Sequence, residues 1–261
     1  MAQTDEHVLT AHQQGVAARV IAEESAHREH VVVYLSGAHA YGFPSPDSDL
    51  DLKSIHIEPT RSLLGFAPPV LTFDRAEVIE GVEIDYTSNE LANALAGVLE
   101  GNGNFLERLL GRTTFTTSPI LEEVRPLVRA SLSRRVHKHY RGFASSQLRF
   151  LERDPIVKKV LYVLRTALTG TYLLETGELE TDVTRLLDDH GFGDARALVE
   201  AKRSGERTAA DPTLLATWRP RLAKALARLD AALARSVLPA EPPNVADLEA
   251  WLVETRRSRL K

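Results

Sequence analysis

Two aspartates one residue apart, Asp49 and Asp51, follow a proline-bearing polar loop and open the alternating run Asp49-Leu50-Asp51-Leu52-Lys53-Ser54-Ile55-His56-Ile57. Side chains alternate faces along a strand, so both acids project to one side with Cα atoms about 7 Å apart, while Leu50 and Leu52 turn to the core. Carboxylates so placed suit hard cations, Mg²⁺ or Mn²⁺. A pair of such ions, about 3.5–4 Å apart, clamps the attacking and leaving oxygens of an in-line phosphoryl displacement. A third acid from a neighbouring strand completes the requirement. Val82-Glu83-Ile84-Asp85-Tyr86 places Glu83 and Asp85 together on one face, and either meets it.

The strand that must precede this centre is the β-branched run Val31-Val32-Val33-Tyr34-Leu35, which stops at Ser36-Gly37. Glycine permits a tight turn there. Backbone N–H groups after a strand make an anion-binding concavity, so a triphosphate fits against Ser36, Gly37 and Ala38 without a Walker lysine. No G-x-x-x-x-G-K-[ST] run occurs. Asp47 suits a turn cap, and His39 and Tyr41 suit loop and packing positions.

These residues carry a resemblance. Ser36-Gly37-Ala38-His39-Ala40-Tyr41-Gly42 followed by Ser45-Pro46-Asp47-Ser48-Asp49-Leu50-Asp51, with the later Ile84-Asp85-Tyr86, resembles the DNA polymerase beta superfamily of nucleotidyltransferases. Asn89–Leu95, Gly101–Glu107 and Lys158–Arg165 narrow the likeness to the predicted nucleotidyltransferases associated with RNA repair pathways, over roughly residues 30 to 190. The resemblance implies a minimal palm-like α+β domain, two divalent ions, an NTP donor and a helical second domain. It singles out Asp85 over Glu83 as the third acid. It also implies transfer of a nucleoside monophosphate to an acceptor hydroxyl, RNA foremost, with loss of pyrophosphate. The chain departs from the family at Ala38, where a serine usually grips phosphate, and at Gly103, where proline is frequent. The loss of a hydroxyl contact to a charged acceptor is worth about 1.5–3 kcal/mol.

Composition bounds the rest. The 261 residues, 43% hydrophobic, allow one large core or two modest ones, and the absence of cysteine excludes disulfides, thiolate metal sites and cysteine nucleophiles. Residues Met1–His7 lack the basic start and apolar core of a signal peptide, and no run approaches the ~20 apolar residues of a membrane helix, so cytoplasmic residence is the expectation. Net charge is −4, but bases gather at Arg134-Arg135, His137-Lys138-His139, Arg141, Arg149 and Arg153, a face suited to solvent or to RNA phosphate, and again at Arg256–Lys261.

Periodicity predicts a helix over about His7–Arg28, strands at Val70–Phe73 and across Ala76–Tyr86, and a helix capped by Thr87 or Ser88 and ending at Gly101. Beyond Pro119 the pattern is helical, with breaks near Asp154-Pro155, Gly177, Gly191–Gly193, Asp211-Pro212 and Pro239–Pro243. The domains are therefore drawn as 1–118, catalytic, and 119–261, helical. In the second, Lys158, Tyr162 and Arg165 share a helix face with Lys159 alongside; the resemblance implies a lid that brings these cations to the triphosphate and Tyr162 to the base, and the alternative is a core helix whose cations sit in water. Val160, Leu161, Val163, Leu164 and Leu168 form the opposite, core-facing set. A non-catalytic nucleotide- or RNA-binding protein, and a transferase acting on protein or small molecules, are the alternatives. Oligomeric state is not specified by the sequence.

Overall fold

The valine run ahead of the glycine turn becomes an interior strand of a five-stranded sheet. In the computed structural model, which describes residues 9–66 and 69–260, β1 (Glu29–Leu35) lies between β2 (Leu50–Ile57) and β5 (Thr114–Thr117). The full order is β3 (Thr72–Ile79), β4 (Val82–Glu90), β2, β1, β5. β2 and β4 run parallel and the other pairs antiparallel, so the sheet is mixed and the fold is α+β.

The first helix, α1 (Ala11–Ser25), opens on a capping box between Thr10 and Gln13. Its Val16, Ala17, Val20 and Ile21 pack on Val33, Leu35, Leu50, Leu52, Ile84 and Tyr86. That contact buries one face of the sheet. By alternation, Asp51 and Lys53 of β2 and Glu83 and Asp85 of β4 occupy the other.

Three local expectations change. The strands anticipated at Val70–Phe73 and Ala76–Tyr86 are redivided, because the chain reverses at Glu80-Gly81, whose φ angles of 51° and 82° make the two-residue turn that matches strand twist. The next helix starts later than Thr87 or Ser88. Pairing of β4 with β2 and β3 holds those residues extended, and the Glu90 carboxylate caps α3 (Leu91–Leu99) by accepting the Ala92 N–H at 2.6 Å. β5 was not anticipated, since Thr114–Thr117 is short and carries little apolar alternation. The start of the first predicted helix, including Val8, lies outside the described residues, as do Met1–His7 and the end of the basic tail at Lys261. Among the described residues no helix is long and apolar enough to cross a membrane.

Contacts divide the chain into two compact units that interleave along the sequence. The first takes the described residues of 1–37, 49–132 and 242–261; the second takes 38–48 and 133–241. Ser118 marks where strand gives way to helix, but α5 (Pro119–Ala130), capped by Ser118, is grouped with the sheet. It packs on α4 (Gly103–Leu110) and β1. The C-terminal α10 (Val245–Ser258) belongs to the same unit, and its Arg256 reaches the buried Glu90 carboxylate at 2.9 Å.

The second unit is a helical bundle of α6 (Val136–Arg153), α7 (Val157–Thr176), α8 (Arg196–Arg203) and α9 (Pro212–Ala234). α7 is central, packed against α6, α8 and α9, and Val160, Leu161, Val163, Leu164 and Leu168 are all fully buried. Gly170 allows the close approach: a Cβ there would lie 2.6 Å from Tyr140 Cβ. α7 ends at Gly177 in the left-handed conformation, φ 78°.

Candidate active site

In the first unit, the parallel register sets Asp51 directly beside Asp85 and Lys53 beside Thr87. Asp49 stands one residue before β2. The Asp51 side chain is 17% exposed and that of Asp85 51%. Lys53, two residues beyond Asp51 on the same face, brings Nζ to 2.7 Å from Asp85 Oδ2 and 3.6 Å from Asp51 Oδ1. Glu83 shares the face but is solvent-exposed and opposite Val78 of the neighbouring strand.

The glycine turn is tied to this strand. The Ser36 N–H donates to the Asp51 carbonyl oxygen at 2.8 Å, and Gly37 adopts φ +65°. A Cβ at Gly37 would sit 1.9 Å from Asp51 Oδ2. Only glycine lets the turn and the carboxylate meet so closely. Among the described residues no group of three or more His, Asp or Glu side chains lies close enough to form a complete protein cage for a metal. A complete cage is not needed for Mg²⁺, which is commonly held by one or two carboxylates together with substrate phosphates and water. The donor set here, hard oxygens already arranged around one ammonium, fits such an ion.

In the second unit, the segment 38–48 that links β1 to β2 is bound by side-chain and main-chain groups from far along the chain. Thr181 donates to the Ala40 carbonyl at 3.2 Å, the Val183 N–H to that of Tyr41 at 3.1 Å, and Arg203 to that of Gly42 at 3.0 Å. Lys202 is completely buried, yet its ammonium is well partnered, with Ser45 Oγ at 2.6 Å, Ser48 Oγ at 3.2 Å and the Glu206 carboxylate at 2.5 Å. Burial alone would raise the Glu206 carboxyl, but Lys158 and Lys202 outweigh it and hold it below its ordinary value. Asp47, foreseen as a turn cap, accepts the Glu206 N–H at 3.2 Å, and a hydrogen bond from Ser45 keeps its carboxyl low. Lys202→Met should therefore destabilise the protein by ~3 kcal/mol, the scale for removing one partner of a buried ion pair, measured as a lower urea midpoint at unchanged m.

The helix face anticipated for nucleotide is divided. Lys158, Lys159 and Tyr162 line a pocket of about 350 Å³ with Asp154, Glu206 and Arg207. Lys158 pairs with Glu206, and Lys159 with Asp154 at 2.5 Å. Arg165 is 3% exposed, its guanidinium 3.4 Å from the centre of the Tyr41 ring, while Tyr41 and Phe43 both pack edge-on against Tyr162 at 5.7 Å. Ala38 and His39 are buried as well. On the basic stretch leading into and along α6, His137 and Arg141 converge on Asp230, Arg135 pairs with Glu241 and Arg134 donates to the Leu238 carbonyl, while Lys138, Arg149 and Arg153 are exposed. Lys53, Lys202 and Glu206 were not singled out from sequence. Only Lys53 left a local signal, its position two residues from Asp51 on an alternating strand.

With this geometry in hand, comparison with known proteins is decisive for the family. The model of the RlaP family, described as an RNA repair pathway DNA polymerase beta family, matches residues 13–254. The chain belongs to this family. The RlaP match spans the glycine turn, all three aspartates and the Lys158–Arg165 helix, and extends well beyond the residues that carried the resemblance. An uncharacterized protein of Methanocaldococcus jannaschii is 29% identical over 178 residues, which are 66% of this chain and 72% of that one. A solved structure of a nucleotidyltransferase-like protein from Exiguobacterium sibiricum 255-15 aligns over 95% of this chain and 81% of its own at 12% identity, with a TM-score of 0.34, too low to bear on the argument.

Proposed function

We propose that this RlaP protein transfers a nucleoside monophosphate from an NTP to an acceptor hydroxyl, with RNA as the acceptor and pyrophosphate as the second product. The observation that carries this reading is the register that sets Asp51 beside Asp85, with Gly37 pressed against the Asp51 carboxylate. Two divalent ions, Mg²⁺ or Mn²⁺, would when bound offset the charge of the triphosphate and of the displaced oxygen. Asp49 and Asp51 are the residues to hold them, joined by Asp85. The Asp85 carboxylate, the more exposed of the facing pair, draws the proton from the acceptor hydroxyl. At the turn, phosphate contact rests on the backbone of Ser36–Ala38, because Ala38 offers only a buried methyl. In the helical unit, Lys158, Lys159 and Tyr162 are the proposed contacts for phosphate and base, and Arg165, the fourth residue of that set, is covered by Tyr41.

The test is incubation with each α-labelled NTP, Mg²⁺ or Mn²⁺, and pooled RNA and protein extract, with the Asp49→Ala/Asp51→Ala variant in parallel. Label in RNA that vanishes in the variant establishes the reading; label in the protein or small-molecule fraction replaces the acceptor. A second reading, nucleotide or RNA binding without turnover, is favoured by one observation. Lys53 offsets one of the two negative charges of Asp51 and Asp85, so their presence side by side does not by itself demand a metal. NTP binding with no label in any fraction would select it.

A further inference from the structure

We propose that Lys53 is an internal competitor for the divalent cation, occupying the space between Asp51 and Asp85 until a metal displaces it. The inference rests on the metal reading above. Its basis is position. Alternation along β2 puts Lys53 on the acidic face, and the parallel pairing with β4 brings the two carboxylates side by side ahead of it. The ammonium lies 2.7 Å from Asp85 Oδ2 and 3.6 Å from Asp51 Oδ1, and it also donates to the Asp85 carbonyl at 3.3 Å and to Thr87 Oγ1 at 3.5 Å.

A cation shared by Asp51 and Asp85 needs the oxygens that Lys53 now faces, and an ammonium beside a divalent ion costs Coulomb energy, so the two exclude one another. Lys53 has somewhere to go. The Asp85 carbonyl and the Thr87 hydroxyl, which already accept from the ammonium, are neutral partners that can keep it when the carboxylates are taken, and its flexible four-carbon stem lets the head move without the strand. The site therefore exchanges one cation for another and does not open an uncompensated acidic pair.

The experiment is Mn²⁺ titration of the wild type, Lys53→Gln and Lys53→Arg, read by the free-ion electron paramagnetic resonance signal, with thermal melts in EDTA and in saturating Mn²⁺. Lys53→Gln should bind Mn²⁺ about tenfold more tightly, within the range for coupled sites. It should also melt lower than wild type in EDTA and gain more from Mn²⁺. Lys53→Arg, which keeps the charge, should stay near wild type. Equal or weaker Mn²⁺ binding by Lys53→Gln, with wild-type binding that is lost in Asp51→Asn, overturns the competition and leaves the metal reading standing. Absence of Mn²⁺ binding in every variant, both alone and, beyond the ion bound by the nucleotide itself, with a non-hydrolysable NTP analogue present, overturns both.

Discussion

Asp85→Asn is expected to slow nucleotidyl transfer about a thousandfold while leaving NTP affinity within a few-fold, the scale on which a single proton-accepting group acts. The amide fills the same space but cannot take a proton. The side chain is 51% exposed and its ion pair with Lys53 is worth little to stability, so the folded state should be preserved. Asp51→Asn differs, because that carboxylate is held against Gly37 and faces both Asp85 and Lys53, and it should lose metal-dependent NTP binding together with turnover. Single-turnover rates and NTP titration for both variants decide the matter. Retained transfer in Asp85→Asn would remove Asp85 from the chemistry.

The second large effect is on stability in mild acid. Behind the acidic face runs a buried polar line. Ser25 Oγ lies 3.0 Å from His30 Nδ1, His30 Nε2 2.8 Å from the Tyr86 hydroxyl, and that hydroxyl 3.5 Å from Ser54. Ser54 meets Ser88 at 2.7 Å, and Ser88 meets His56 Nδ1 at 2.8 Å. Burial first, and the charge of Arg28 second, push both histidines from 6.5 down to about 4. Each is thus neutral in the folded protein where the unfolded chain would take a proton. Their contribution is complete above pH 6.5 and is lost as pH falls from 6.5 through 4, by as much as about 3 kcal/mol each at 1.36 kcal/mol per unit. His190, lowered by burial and by Arg228, adds in the same direction. Urea midpoints should fall steeply between pH 6.5 and 4.5, and His30→Gln/His56→Gln should flatten that slope. A flat wild-type profile would show that the line accepts protons without strain.

What could be seen in the sequence was local. The valine run, the glycine turn and the alternation after Asp49 each sit within a few residues of one another, and β1, the turn and β2 appear where those signals put them. The Glu80-Gly81 reversal was missed because β propensity continues on both sides, and a glutamate entering φ 51° gives no warning. The parallel register of Asp51 with Asp85 is a property of the whole sheet, since it depends on where that hairpin turns. Arg165 shares a helical face with Lys158 by spacing, but spacing could not show that Tyr41 would cover it. Lys202 and Ser45 are 157 positions apart, beyond any periodicity.

The interleaving of the two units has a consequence for how such a protein could be recombined in evolution or in the laboratory. The chain passes from one unit to the other after residues 37, 48, 132 and 241. A fragment ending at 132 would keep the three aspartates, yet its own segment 38–48 would be parted from Thr181, Lys202, Arg203 and Glu206, and Glu90 from Arg256. A fragment of 133–241 would lack Tyr41 and Phe43 from the environment of Tyr162 and Arg165. Shuffling the acidic sheet onto a different helical partner by a single crossover would therefore part these contacts. Any successful graft must also exchange the loop 38–48 and keep the C-terminal helix, so the transferable pieces are the two interleaved units and not contiguous stretches of sequence.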